Sequence, residues 1–279
     1  MTLQVAALQG LEQLTSSISA FTIDPYKKAL YYFFPPVEAF FNGYFPLQAD
    51  PSLQPMMPPA DAKKMLQEIS DLTDCAGIRR TVIAYSATAL NDGFSNNGGS
   101  FSVGDPVLFI PLQHLFRPGK GDSPFGQEKP EEKLRDKLWV FSDDETRFLI
   151  ARELGQISEN SILVRVAIKI AVLATLFAIY ASPYGWMLGL ALCMGTVGFY
   201  IVSERMFQAR ADLVGCEILA KKIPNAREAA LSALEKMRQQ NLYRRENNRL
   251  ARLYITESGN NVLDFIHPHL TTRIGRLNN

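Results

Sequence analysis

The sequence predicts a mainly helical α+β chain, with a small sheet along one edge and a two-helix apolar hairpin inserted into the helical body. Three observations carry that expectation. Residues 171–202 are 32 consecutive positions without a charge, interrupted only by Ser182-Pro183-Tyr184-Gly185-Trp186. Ser142-Asp143-Asp144-Glu145 has the form of a capping box and opens a helix. Two short runs, 81–85 and 106–110, are rich in residues that favour strands.

Composition narrows the function classes. The 279 residues are 47% hydrophobic, which is ample for a core and excludes a disordered tail or a collagen-like repeat. Lys+Arg number 29 against 28 Asp+Glu, a formal net charge of +1. That balance offers no general attraction to nucleic acid, and no basic stripe replaces it. Cys75, Cys193 and Cys216 contain no CxxC pair and are expected to be buried or free thiols in a reducing compartment, or of no consequence. The first twenty residues have no Lys or Arg and include Glu12, unlike a secretory signal or a transit peptide.

Taken in order, residues 1–60 form a helical, then aromatic, then Pro-rich segment. Tyr31, Tyr32, Phe33, Phe34, Phe40, Phe41 and Phe45 are interrupted by Pro35-Pro36 and Glu38, so this stretch is a poor membrane span. It is expected to lie along an interface or to cover the core. Repeated prolines make 46–59 an extended linker. The main domain, 61–279, starts with a helix from Asp61 that places Met65, Ile69 and Leu72 on one face and ends near Gly77. The strand at 81–85, an Asn/Gly-rich turn at 91–100 and the strand at 106–110 follow.

The polar loop 117–137 contains Gly119-Lys120-Gly121-Asp122-Ser123, which lacks the spacing of a phosphate loop; nucleotide binding is not expected. Helices are predicted at 143–160, 162–182, 187–202, 203–222 and 225–250.

The hairpin, 162–202, interrupts the main domain. About 20 helical residues cross a bilayer core, so two helices split at the Pro-Gly turn fit better than one span. Arg165 and Lys169 lie ahead of the uncharged stretch; Glu204, Arg205 and Arg210 lie after it. Basic residues at both outer ends place the main domain on the cytoplasmic side, with Tyr184 and Trp186 at the far interface. Arg165 and Lys169 share a helix face and are expected to snorkel toward headgroups. A soluble hairpin buried through Gly189, Gly195 and Gly198 is the competing reading.

Two turns into the capped helix stands Ile150-Ala151-Arg152-Glu153-Leu154-Gly155-Gln156-Ile157. This segment resembles the metal helix of the HtpX-like and CAAX-prenyl-protease-like zinc metallopeptidases, a membrane family of gluzincin fold. There, an Ala-His-Glu-Leu-Gly-His helix holds zinc with two histidines and activates water with the glutamate. Other pieces are similar to the family in the same order: Ala76-Gly77-Ile78 and the strand after it, Asn91 to Phe94, Pro106 to Phe116, a membrane hairpin, and Ser203 to Asp212. The last is His267-Pro268 with Arg273-Ile274 and Leu277.

The resemblance implies a degenerate site. Arg152 and Gln156 stand where the family has its zinc histidines, and Gln208 stands at the third ligand. Glu153 is then a vestigial general base, and Asp212 matches the residue that orients a ligand from behind it. His267 and Arg273 match residues on the possible substrate side. A guanidinium has no lone pair for zinc, so the cofactor is expected to be lost and this route to hydrolysis with it. Arg152 is expected to fill the vacated cation site, bridging to Asp212 with Gln156 or Gln208 hydrogen-bonded nearby.

The remaining polar residues have plainer readings. Asp143, Asp144 and Glu145 suit the positive end of a helix dipole. His114 stands alone, and the arginines of 238–252 read as a solvated helix face. The chain is therefore expected to be a catalytically inactive, metallopeptidase-like membrane protein. It would bind a protein or extended peptide along an edge strand near 106–110, in membrane protein assembly or quality control. A family that assists cytochrome oxidase assembly is loosely similar in carrying Ala-Arg-Glu at this place. Two alternatives are an active metalloendopeptidase with a rearranged site of Glu153, His267 and His269, and a purely structural membrane protein.

Overall fold

The computed structural model describes residues 30–34, 45–46, 59–87, 95–97, 102, 105–111, 141–181, 186–264 and 267–279. The expectations for 112–140, including His114 and the polar loop, lie outside these residues, as do most of 1–58 and the turn at 182–185.

The described chain is mainly helical, with one small sheet. Strand β1 is Phe45–Pro46 and helix α1 is Pro59–Cys75. Strands β2 (Ile83–Ala87), β3 (Ser95–Asn97) and β4 (Val107–Pro111) follow. Helix α2 is Asp143–Ser158, α3 is Ser161–Tyr180 and α4 is Trp186–Ala220. Then come α5 (Ala226–Asn247), α6 (Ala251–Tyr254) and α7 (Leu270–Asn278).

The sheet order is β1-β2-β4-β3. Strands β2 and β4 are parallel, with Ile83 opposite Val107 and Ala87 opposite Pro111. Strands β1 and β3 flank them antiparallel. Two expectations change here. The 91–100 stretch is not only a turn, because Ser95–Asn97 pairs with Phe109, Leu108 and Val107. As a result β4 is an interior strand, not the free edge expected near 106–110. Backbone pairing, which is indifferent to side chain, let a polar triplet complete the ladder.

The core lies between the sheet and the helices. Leu72 of α1, Ala84 and Leu108 of the strands, Phe148 and Leu154 of α2, Leu219 of α4 and Leu234 of α5 are fully buried in one cluster. Helix α2 starts where the capping box requires: Ser142 Oγ accepts from the Glu145 N–H at 3.3 Å, and the Ser142 N–H donates to Glu145 Oε2 at 2.6 Å. Glu145 is not merely a dipole charge. It is buried, and it also accepts from Ser232 at 2.6 Å and from Lys236 on α5. Burial alone would raise its carboxyl pKa, but those donors hold it below the ordinary value.

Between α2 and α3 the chain reverses at Asn160, whose φ of 52° is left-handed, a conformation asparagine tolerates better than most residues. Tyr32 donates to Asn160 Oδ1 at 3.1 Å and is fully buried with Ile162 and Val166. This part of the aromatic segment thus covers the root of the hairpin.

Helices α3 and α4 are both long and apolar enough to cross a membrane. Much of their apolar stretch is exposed: Phe177 is 72% exposed, Met194 63% and Phe199 61%. The hairpin is therefore not packed inside this chain through Gly189, Gly195 and Gly198. The predicted break at 202–203 is also absent, and α4 runs through it as one helix of 35 residues. No glycine or proline stands there, and Ser203-Glu204-Arg205 can continue a helix whose next turns pack on α2.

Candidate functional site

The site forms where α2 crosses α4, and two glycines set how closely they approach. A Cβ on Gly215 would lie 2.7 Å from the Arg152 Cα, and one on Gly155 would lie 2.8 Å from Val214 Cγ1. Backbone is therefore nearly in contact with backbone. At that spacing the long Arg152 side chain lies along α4 instead of leaving for solvent.

Arg152 is the hub. Its Nε donates to Asp212 Oδ1 at 2.9 Å, its Nη1 to Glu153 Oε1 at 2.6 Å and its Nη2 to Gln208 Oε1. Asp212 in turn takes both N–H groups of Arg273, on α7, at 2.7 Å each. Three helices are thus joined through one carboxylate that is 2% exposed. Such fork-to-carboxylate pairing fixes geometry in a way that a lysine cannot.

The electrostatics follow from burial and pairing together. Desolvation opposes the charge on Arg152, but Glu153 and Asp212 more than offset it and hold its pKa above the ordinary value. Asp212 lies nearly three helical turns past the uncharged stretch. Burial pushes its pKa up, and Arg273 first and Arg152 second bring it below the usual carboxylate value.

From this hub a second line of contacts leads to the hairpin. Gln156 donates to Glu153 Oε2 and accepts from Arg165 Nη1, both at 3.2 Å. Arg165 Nε donates to Glu204 Oε2 at 2.7 Å. Lys169 lies 3.8 Å from the other Glu204 oxygen and 5.6 Å from the centre of the Tyr200 ring. The expectation that Arg165 and Lys169 snorkel outward is therefore wrong. Glu204 is 2% exposed and Lys169 6%, because a buried carboxylate on α4 draws both cations inward.

The structure thus brings together Arg152, Glu153, Gln208, Asp212 and Arg273, with Gln156 one contact further out, on Glu153 rather than on Asp212. Arg273 was expected on the substrate side; instead it is buried as part of the hub. His267 stands apart and exposed, with its backbone N–H on Asp264 Oδ1 at 3.0 Å and its ring on the same carboxylate. Sequence reasoning missed Glu204 as a network member and Gly215 as the contact that admits Arg152. The signal for Glu204 was present, since Tyr200, Glu204, Gln208 and Asp212 are spaced by four and share one face of α4.

The donor set does not fit zinc. A structural or catalytic zinc takes imidazole, thiolate or carboxylate from at least three residues. Arg152 and the two amides offer none of these, and both carboxylates are engaged by guanidinium groups. Among the described residues no three His, Cys, Asp or Glu side chains converge, so Glu153, His267 and His269 do not form the rearranged site considered above.

Compared with known proteins, the chain matches no family model, no curated protein and no solved structure. The functional reading rests on the site itself.

Proposed function

We propose that this chain is a catalytically inactive, metallopeptidase-like membrane protein that binds an extended peptide or protein partner as a scaffold. The observation that carries the reading is the Arg152 guanidinium, held at once by Asp212, Glu153 and Gln208. A fixed positive charge with satisfied partners occupies the place where the resemblance expects a cation. Glu153 then has no metal-bound water to activate, and its carboxylate serves as an acceptor for Arg152 and Gln156.

The membrane part of the reading is supported by the exposed apolar surface of α3 and α4. A contiguous apolar surface of this kind is costly in water and neutral in hydrocarbon. With Arg165, Lys169 and Arg205 at its root, the positive-inside tendency puts the main domain on the cytoplasmic side. Pairing of β4 on both sides favours a second reading, a purely structural membrane protein without a peptide site.

Metal analysis tests the catalytic half of the proposal. Protein purified in detergent without chelator should contain well under one zinc per chain and should not cleave casein when zinc is added. Stoichiometric zinc that is lost on Glu153→Gln would overturn the reading.

A further inference from the structure

Helix α4 carries a regular apolar stripe that crosses both of its halves. Leu192, Gly195, Phe199, Val202 and Met206 recur at alternating steps of three and four residues, and Leu213 continues the series one heptad on. All six are exposed; Ala209, the small residue at the step between Met206 and Leu213, is buried. A period of 3.5 is that of a coiled-coil seam. A bilayer would cover the stripe as far as Val202, where the uncharged stretch ends. It would not cover the rest: Leu213 stands about 16 Å further along the axis, whereas a headgroup layer is about 5–8 Å deep. A Cβ on Gly195 would meet nothing within 4 Å. Glycine inside a helix costs about 1 kcal/mol relative to alanine, and close approach by another helix is what gives it a use there. Beside the stripe, α3 and α4 form an open groove of about 620 Å³, lined by Ile168 and Ala171 on one side and Gly195 and Phe199 on the other. The hydroxyls of Thr175 and Thr196 in its walls donate to Ala171 and Leu192 carbonyls at 2.8 Å, so the groove asks for an apolar occupant.

We infer that the stripe is the seam of a parallel, two-fold homodimer, in which α4 of a second copy packs along α4 and its flank enters the groove beside α3. This rests on the membrane part of the proposed function and adds a partner to it. A second copy is the occupant that the pattern fits. A seam of period 3.5 is self-complementary under two-fold rotation, because each residue meets its own counterpart. Copies inserted in one orientation present their α4 helices parallel and at the same depth. A second α4 also follows the stripe past Val202 to Leu213, which lipid does not. Arg210, beside the seam, is neutralised by Glu159 at 2.7 Å, so two copies do not meet there as bare cations.

The test compares cysteines on and off the seam, in a full chain whose Cys75, Cys193 and Cys216 are replaced by alanine. Phe199→Cys and Leu213→Cys lie on the stripe. Met194→Cys lies off it, although Met194 is 63% exposed against 61% for Phe199. In phosphatidylcholine vesicles oxidised with copper phenanthroline, both seam variants should form disulfide-linked dimers at least tenfold faster than Met194→Cys. A second arm needs no added cysteine. By light scattering in mild detergent the native chain should be a dimer, and Met206→Glu with Leu213→Glu should be a monomer with an unchanged circular dichroism spectrum. Equal cross-linking at the three positions, a double variant that stays dimeric, or a native chain that is monomeric in detergent and does not cross-link in vesicles would overturn the dimer. Vesicle flotation separates the two failures. A chain that floats without pairing loses only the seam. A chain that does not float loses the membrane reading, and with it the common orientation on which parallel pairing depends.

Discussion

Helix α4 places its two halves in opposite surroundings. Between Leu188 and Phe199 no residue is buried, and the side chains that face outward are leucine, methionine and phenylalanine. From Glu204 to Leu219 the buried positions include Glu204, Gln208 and Asp212. An ordinary soluble helix shows the reverse arrangement, apolar inside and polar outside. In the inner half the buried Glu204, Gln208 and Asp212 each have a partner, whereas the outer half exposes a run of apolar side chains. Burial in the one half follows pairing of polar groups, and the other half is long and apolar enough to cross a membrane.

The largest test of this contrast is Asp212→Ala. It would leave Arg152 and Arg273 facing each other in a buried site, and loss of about 3–5 kcal/mol is expected in chemical denaturation of the detergent-solubilised protein. An unchanged midpoint would mean that the hub is not holding the helices together. On the apolar half, Met194→Lys should leave that midpoint in place. It should instead weaken flotation with vesicles, since a lysine at the centre of a span costs about 2.5–3.5 kcal/mol on insertion scales.

The next test returns to the hub. Arg152→Ala should destabilise by about 2–3 kcal/mol, because Glu153 loses its charged donor, and Arg152→Lys should destabilise less. If both substitutions are silent, the Arg152 bridge contributes nothing to the fold. Gly215→Ala should cost about 1–3 kcal/mol by pushing α4 off the Arg152 backbone.

A smaller effect comes from the far side of α2, where Glu68 is paired with Arg147 and Lys222. The Arg147 hydrogen bonds, followed by those of Lys222, outweigh desolvation and hold the Glu68 carboxyl at about 2, down from its ordinary 4.5. A depressed carboxylate contributes stability that is complete above the ordinary value and lost as pH falls toward the folded value. Acid titration of the unfolding midpoint should therefore steepen between pH 4.5 and 2, and Glu68→Gln should flatten that window.

What could be read from the chain in advance was local. The capping box located α2, and the spacing of Gln208 and Asp212 put them on one helix face. The charge of Arg152 is incompatible with zinc by residue type alone. The long-range pairings were less visible. Whether Lys169 points to headgroups or to Glu204, 35 residues on, depends on the rotation of α3 against α4, which no local pattern encodes. Arg273 reaches Asp212 only because α7 returns to α4. Strand β3 escaped notice because its residues oppose strand formation, and backbone pairing alone recruits it.

The unbroken length of α4 has a mechanical consequence. At 1.5 Å per residue its 35 residues make a rod of about 52 Å, with no interruption between the turn end and the Arg152 contact. A rod without a hinge delivers a tilt at one tip to the other as leverage. Any force that re-angles the outer tip would therefore reach the Arg152 guanidinium as torque.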